Sequence, residues 1–261
     1  MYRGTESERL NMQRYFINQN ADSDQRFFIT NNEDIHHIKN VMRNHVDNEL
    51  ILNFLDQRVF KCKITAISQD AIEVEPIQEL EISTELPQNI TICSGLIKAD
   101  KYEWMLQKAT ELGASKFIAA EMDRSIVKLN QSKITKKIER WQKIIKEAAE
   151  QSYRLTIPSI DYISNLKTLY DNIDGYDYIL IAYVDAAKDG EISQFKSVLQ
   201  QLTQGENILV IFGPEGGLSA DEVTLFASVG KQIGLGPRIL RAETAPLYVL
   251  SAVSYQNELL G

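Results

Sequence analysis

The 261-residue chain has an ordinary globular composition, with 44% hydrophobic and 25% charged residues. Its longest apolar run, Tyr178 to Val184, is far too short to span a membrane. Cys62 and Cys93 form neither a CxxC pair nor a disulfide framework. We therefore expect a cytoplasmic protein without a membrane segment. The formal net charge of −8 argues at first sight against a nucleic-acid partner.

The charge is unevenly distributed along the chain. Residues 98–154 hold 13 basic and 8 acidic side chains, whereas residues 155–261 hold 6 and 13. Such a basic segment fits local contact with a polyanion, and it fits an ordinary solvated helix face equally well. Composition alone leaves both interpretations open.

The first predicted elements are short strands with one short helix. Apolar residues recur at helical spacing within 34–43, alternate with polar residues within 60–66 and 72–74, and form an imperfect strand pattern within 50–55. Asp56-Gln57 lies where a hairpin turn is expected. Several short strands so close together predict a small β-barrel.

The domain boundaries follow from these patterns. Met12 begins the sequence MQRYF, so we interpret residues 1–11 as a candidate leader and 12–74 as the barrel domain. Residues 75–89 are acidic and contain two prolines, which predicts a linker. Residues 90–261 form the second domain.

From residue 90 onward the pattern alternates between strands and helices. A long amphipathic helix is predicted across 134–152, and Pro246 suits the first turn of a last helix. This alternation predicts an α/β fold with a parallel sheet and helices on both faces. The predicted strands are 90–97, 116–120, 178–184, 207–212 and 232–235.

Several residues predict where helices begin and end. Asp100 with Glu103, and Ser219 with Glu222, have the spacing of a capping box. Gly113 suits the end of the helix that begins near Asp100.

Two loops that follow predicted strands have unusual sequences. Gly213-Pro-Glu-Gly-Gly217 contains three glycines, which permit close approach of the backbone to a ligand. The loop 234–246 mixes arginines and a glutamate with apolar residues, which suits a ligand with a flat apolar base and a polar tail. Ligands bind at such loops in open α/β sheets. No P-loop and no GxGxxG motif is present.

Metal and thiol chemistry are disfavoured. The three histidines, His36, His37 and His45, all lie in the first domain, so we expect no metal site in the second. Neither cysteine lies in the two loops, which disfavours methyl transfer to pyrimidine C5 through a cysteine nucleophile.

These loops resemble the two signature segments of the RsmE family, the 16S ribosomal RNA uridine-N3 methyltransferases of the SPOUT superfamily. The matching segments are GPEGGLSADE (213–222) and LGPRILRAETA (235–245). Further matches are KADKYEWMLQKATELG (98–113), RWQKIIKEAAEQSYRLTIP (140–158), and MQRYF with HHIKNVMR (36–43). Tyr153 stands where the family usually has a small residue, and we expect it to narrow the neighbouring cleft.

The resemblance implies a fold, a cofactor and partners. It implies a PUA-like RNA-binding barrel followed by a SPOUT domain with a trefoil knot, a rare exception to the rule against threaded chains. It implies S-adenosylmethionine as cofactor, a homodimer, and a uridine in the decoding region of the small ribosomal subunit as target. The apolar residues Leu247, Leu250, Val253 and Leu259 of the last helix are the expected dimer surface.

The resemblance also implies site residues. Arg154, Arg241 and Glu243 are candidates for the uridine side, and which of them assists deprotonation of N3 stays open. A side chain at position 216 is expected to fill space that the ligand needs. The candidates around the cofactor are Gly213, Pro214, Glu215, Gly216, Gly217, Leu235, Gly236, Arg238, Ile239, Leu240, Thr244 and Ala245.

Candidate RNA contacts lie in two places. One is the exposed side of the long helix, with Lys133, Lys136, Lys137 and Lys143, and the other is the first domain, with Arg26, Lys39 and Arg43. Two alternatives stay open. One is another SPOUT enzyme acting on ribose 2′-O or on tRNA, and the other is a non-catalytic RNA-binding protein of ribosome assembly.

Overall fold

The computed structural model describes residues 12–21, 26–183 and 193–260. The leader expected over 1–11 and the predicted end of the third strand at Val184 lie outside these residues. The chain divides into two compact units. One contains residues up to Thr84 together with Glu150–Thr156, and the other contains Glu85–Ala149 and Ile157–Gly261.

The first unit is built on a curled five-stranded sheet. Its spatial order is β1-β3-β4-β5-β2, with β1 parallel to β3 and the other pairs antiparallel. Register shifts between β4 and β5 interrupt the pairing, and such bulges increase strand twist. The strands are β1 (Arg14–Phe16), β2 (Phe27–Ile29), β3 (Glu49–Asn53), β4 (Val59–Ile67) and β5 (Ile72–Glu79).

One side of this sheet is closed by a short helix. Helix α1 (Asn32–His36) begins at Asn31, whose side chain accepts bonds from two backbone amides, and a π-helical turn (His37–Val41) continues it. Ile35 and Ile38 pack into the sheet core. The helix predicted over 34–43 is therefore real. The turn predicted at Asp56-Gln57 joins β3 to β4, with Gln57 at φ +62°.

The second unit contains a six-stranded parallel sheet, as the alternating pattern predicted. Its order is β11-β9-β10-β6-β7-β8, and every pairing is parallel. The strands are β6 (Asn89–Gly95), β7 (Lys116–Ala120), β8 (Ser159–Ile163), β9 (Tyr178–Ala182), β10 (Asn207–Phe212) and β11 (Lys231–Ile233). The sequence pattern missed β8, an exposed edge strand in which only Ile160 is buried.

Helices cover both faces of the sheet. Along β10, Ile208 and Val210 point into one core cluster while Leu209 and Ile211 point into another. The first cluster receives α2 (Ala99–Glu111), α3 (Gln131–Gln151), α5 (Ser193–Gln201) and α7 (Ala245–Ser254). The second receives α4 (Leu166–Tyr170) and α6 (Ala220–Leu225). A π-helical turn (Tyr255–Leu259) follows α7.

Two of the predicted helix ends are confirmed and one is wrong. Ser219 and Glu222 form the expected capping box of α6, and Gly113 follows α2 at φ +97°. The capping box predicted for Asp100 and Glu103 is wrong. Helix α2 begins one residue before Asp100, and Glu103 instead accepts a two-pronged bond from the guanidinium of Arg140.

Within the described ranges, no helix has both the length and the apolar character needed to cross a membrane. Strand β5 runs to Glu79, so the segment 75–89 predicted as a linker includes the end of a strand.

Candidate functional site

A cleft of about 390 Å³ lies beyond the carboxyl ends of three neighbouring parallel strands. Its walls come from the residues that end or follow β9, β10 and β11, together with Lys101 of α2. This is the edge at which open α/β sheets bind ligands, and the volume is that of a small-molecule site. The position of the cleft follows from the strand order.

The loop after β10 forms one wall of the cleft. The amide of Gly217 donates to the carbonyl of Pro214 over 2.8 Å, which closes a tight turn, and Gly217 adopts φ +72°. A Cβ added at Gly213 would lie 2.6 Å from backbone atoms of Gly217 and Leu218. Glycine at position 213 therefore lets the loop fold back on itself.

The loop after β11 forms the facing wall. It turns at Gly236, which has φ +86°, and closes where the amides of Thr244 and Ala245 donate to the carbonyl of Arg241. Ile239 is 78% exposed at the rim of the cleft, while Leu235 packs against the core. The cleft thus offers apolar surface beside backbone turns and the side chain of Arg241.

One ion pair faces the cleft. Lys101 Nζ lies 3.0 Å from Glu243 Oε1, whereas Oε2 of the buried Glu243 has no hydrogen-bond partner among the residues that the structure describes. Burial raises the pKa of Glu243, but a backbone hydrogen bond, Lys101 and the charge of Arg241 together outweigh it and hold the pKa below its ordinary value. The carboxylate is therefore ionised near neutral pH, and its second oxygen is buried.

Most of the predicted cofactor residues border this cleft, together with Arg241 and Glu243 of the uridine-side candidates. Gly216 and Thr244 do not border it. A Cβ at Gly216 would meet the Cβ of Arg124 at 3.0 Å, and the expectation that a side chain there fills space the ligand needs stays a prediction. The bordering residues among the predicted set are Gly213, Pro214, Glu215, Gly217, Leu235, Gly236, Arg238, Ile239, Leu240 and Ala245.

Arg154 and Tyr153 do not border the cleft. Both belong to the unit that contains the N-terminal sheet, and the Arg154 side chain is 2% exposed. The Arg154 carbonyl accepts a 2.6 Å bond from the Asn53 amide, and the Tyr153 ring lies 4.4 Å from the guanidinium carbon of Arg14. Tyr153 thus has a partner within its own unit, and the expectation that it narrows the neighbouring cleft stays a prediction.

Sequence reasoning missed Lys101 and Tyr183. Tyr183 comes directly after β9, and the rule that ligands bind beyond the carboxyl ends of parallel strands could have identified it. Lys101 lies in the first turn of α2, far from both loops in sequence. The one indication of Lys101 in the sequence is its place within the matched segment 98–113.

The candidate RNA contacts differ in their exposure and in the contacts recorded for them. Lys133, Lys136 and Lys143 are exposed on α3, whereas Lys137 lies 3.6 Å from Glu103 and over the ring of buried Trp141. In the N-terminal unit Arg43 is exposed, Arg26 pairs with Glu73 at 2.6 Å, and Lys39 donates to the Ser68 carbonyl.

Both thiols are buried away from solvent. Burial raises the pKa of Cys62 to about 12. Burial and, secondarily, the charge of Glu222 raise the pKa of Cys93 well above its ordinary value. Neither can supply a thiolate at neutral pH. Across the described ranges, no three His, Cys, Asp or Glu side chains cluster as metal ligands would.

Two family models match the chain. Residues 84–254 match an RNA methyltransferase domain, and residues 29–77 match an RNA methyltransferase PUA domain.

Known proteins match over nearly the whole chain. Ribosomal RNA small subunit methyltransferase E of Bacillus subtilis (strain 168) is 46% identical over 253 residues, which cover 95% of this chain and 98% of that protein. A crystal structure described as a hypothetical protein has a TM-score of 0.87 and 43% identity, covering 95% and 100% of the two chains. The Neisseria gonorrhoeae ribosomal RNA small subunit methyltransferase E, bound to S-adenosyl methionine, has a TM-score of 0.79 and 27% identity, covering 94% and 97%.

Proposed function

Because this chain belongs to the RsmE family of ribosomal RNA small subunit methyltransferases, we propose that it methylates N3 of a uridine in the decoding region of 16S rRNA, with S-adenosylmethionine as methyl donor. The observation that carries the proposal is the cleft between the loops 213–217 and 235–245, with its ionised glutamate and arginine. The PUA domain match supports an RNA substrate.

The residues of the cleft fit the proposed cofactor. Leu235, Leu240 and Ala245 offer an apolar surface for an adenine ring, and the turn at Gly213–Gly217 brings backbone groups close to a ligand. The free Oε2 of buried Glu243 is an acceptor that lacks a donor. When bound, S-adenosylmethionine supplies an electrophilic methyl group on a sulfonium. We propose that the residues of the two loops hold it, Gly216 and Thr244 acting only through the loop backbone.

Glu243 is the group that can accept a proton on the uridine side. Uridine N3–H is a weak acid, and N3 must lose its proton before its electron pair attacks a methyl carbon. Arginine guanidinium groups cannot serve as bases because they are always protonated. We therefore assign the N3 proton to the Glu243 carboxylate, which borders the cleft, and assign Arg241 to the negative charge that spreads onto the flanking carbonyl oxygens.

Lys101 and Arg154 have supporting places in this scheme. Lys101 holds Glu243 by one carboxylate oxygen and leaves the other free. Arg154 remains the third uridine-side candidate. Its side chain is buried, so a substrate base reaches it only if the residues that cover it move.

A homodimer is the proposed assembly, although the surface differs from the expected one. Leu250 and Val253 are buried in the core of their own unit and cannot form a dimer surface. Large side chains that remain exposed nearby are Tyr248 on α7, and Tyr255, Leu259 and Leu260 after it. A monomer mass in light scattering at micromolar concentration contradicts this proposal.

Further parts of the proposal rest on the family. They are a trefoil knot in the C-terminal domain, a cytoplasmic location, and a division into a PUA-like domain (12–74), a linker (75–89) and a SPOUT domain (90–261). The lysines of α3 and the basic residues Arg26, Lys39 and Arg43 are the proposed RNA contacts.

The test is to map the methylated position. Small subunits from a strain that lacks this modification are incubated with the protein and S-adenosylmethionine, and the rRNA is digested for mass spectrometry. We expect one N3-methyluridine in the decoding region of the parent reaction and none with Glu243→Gln. Methylation at a ribose 2′-oxygen, or of tRNA alone, identifies another SPOUT activity. Cofactor binding without methylation of any RNA supports the non-catalytic alternative.

A further inference from the structure

We propose that the loop 121–125, which lies outside the cleft, positions the cofactor loop 213–219, and that Glu222 joins the two. The inference rests on the proposed function, since it assigns the loop a ligand to hold. Loop 121–125 follows β7, loop 213–219 follows β10, and β6 lies between those two strands in the sheet.

The two loops meet over the end of β6, where the strand terminates in glycine. A Cβ added at Gly95 would lie 2.6 Å from Pro214 and 3.0 Å from the sulfur of Met122. A larger residue there would separate the two loops. Gly95 therefore permits the contact, and the side chains beyond it make the connection.

Glu222 uses its two carboxylate oxygens on different loops. Oε2 accepts from the backbone amide of Ser219 over 2.8 Å, and Oε1 accepts from the backbone amide of Asp123 over 2.9 Å. The side chain is 8% exposed. An ordinary capping box needs only the bond within its own helix. The second bond makes Glu222 a bridge between the loops.

Two more bonds fasten the loops at different points. Ser219 Oγ donates to Asp123 Oδ2 over 2.6 Å while accepting from the amide of Glu222. Arg124 donates to the carbonyl of Gly216 over 3.1 Å. The cofactor loop is thus held by its middle and by its end.

Loop 121–125 is itself well anchored. The amide of Met122 donates to Ser125 Oγ, and the amide of Ser125 donates back to the Met122 carbonyl. Glu121 accepts from the amide of Leu129 and from the hydroxyl of Tyr162. Because loop 121–125 is anchored and bonded to the cofactor loop, less of the cofactor loop has to become ordered when the ligand binds. Loop 121–125 can therefore raise ligand affinity without contacting the ligand.

The variants that test this separate the bridge from the helix cap. Asp123→Ala removes the acceptor of Ser219 Oγ and leaves the Ser219–Glu222 cap intact, whereas Asp123→Asn keeps an acceptor oxygen. Glu222→Gln leaves one acceptor oxygen, whereas the backbone amides of Ser219 and Asp123 each need one, so one of the two bonds is lost. Asp171→Ala is the matched control, because Asp171 pairs with Lys167 on α4 and takes no part in these contacts.

S-adenosylmethionine binding is measured by calorimetry on the full chain, and folding by thermal denaturation. We expect about tenfold weaker binding in Asp123→Ala and Glu222→Gln, near-parental binding in Asp123→Asn, and unchanged binding in Asp171→Ala. At saturating cofactor, kcat of Asp123→Ala should equal that of the parent while KM for the cofactor rises.

The outcomes separate the two proposals. If the parent does not bind the cofactor, the proposed function fails. If the parent binds and both Asp123→Ala and a folded Glu222→Gln bind equally well, the positioning role is refuted. A loss in Asp123→Ala that Asp123→Asn does not restore also refutes it, because the role requires the acceptor oxygen.

Discussion

Gly213→Ala should weaken cofactor binding more than it weakens the fold. The added Cβ would lie 2.6 Å from the carbonyl carbon of Gly217 and the amide nitrogen of Leu218, against 3.4 Å for the shortest ordinary contact. The turn must therefore open by about 0.8 Å, the difference between these distances. Both contacted atoms are backbone, so no side chain can rotate away to relieve the clash.

The expected magnitude follows from this displacement. Overpacking a close-packed site costs about 1–3 kcal/mol. If the free protein relaxes by opening the turn and binding requires it closed, the ligand bears that cost. The dissociation constant of S-adenosylmethionine should then rise by about 5- to 150-fold.

Gly205→Ala supplies the control. Gly205 has φ +85° but open space around its Cβ position, and it does not border the cleft. Alanine there should lower stability by about 1–2 kcal/mol through backbone strain alone and leave binding unchanged. Calorimetric titration and thermal denaturation of both variants measure the two effects. Gly213→Ala binding within twofold of the parent would show that the closed turn is not what the cofactor selects.

Three further predictions concern chemistry and RNA contact. Lys101→Met should raise the pKa of Glu243, because the charge that opposes the effect of burial is removed. Activity that needs the carboxylate is present above that pKa, so the acid limb of the pH–rate profile should move to higher pH. An unmoved limb contradicts the assignment. Cys62→Ala and Cys93→Ala should retain the parental kcat in a methyl-transfer assay, because neither thiol ionises at neutral pH; abolished turnover in a folded variant would restore a thiol mechanism. Replacing Lys136, Lys137 and Lys143 with glutamine should weaken rRNA binding and leave cofactor affinity unchanged. The slope of log affinity against log salt should become shallower by up to about 0.7–0.9 for each phosphate that the variant no longer neutralises. An unchanged slope would confine RNA binding to the N-terminal unit.

The sheet and its loops were predictable because their signals are local. The strand Asn207–Phe212 is an uninterrupted apolar run from Ile208 onward, and a buried parallel strand has that composition whatever its neighbours are. The loops 213–217 and 234–246 stand out because glycine and proline follow such strands directly. Position relative to the strand end then places both loops at one edge of the sheet.

What the sequence concealed depends on distance along the chain. Glu222 reads as a helix cap, and only the structure adds its second bond to Asp123, 99 residues away. Lys101 reads as a surface residue of α2 until Glu243 is placed beside it. Likewise Leu250 and Val253 suggest an exposed stripe, and only the packing of α7 shows that this stripe is used within the chain.

These long-range contacts divide the work of the site between two kinds of residue. Along the cleft, the walls are largely backbone turns and apolar side chains, which bind a ligand but distinguish poorly between reactions. The charged group, Glu243, lies in the loop after β11 and is fixed by Lys101 of α2, and the cofactor loop is fixed by Asp123 and Glu222 from outside the cleft. A change at Asp123 should therefore alter cofactor affinity at constant kcat, whereas a change at Lys101 should alter the pH dependence of kcat. Finding both effects in one variant would mean that the two sets of contacts form a single network.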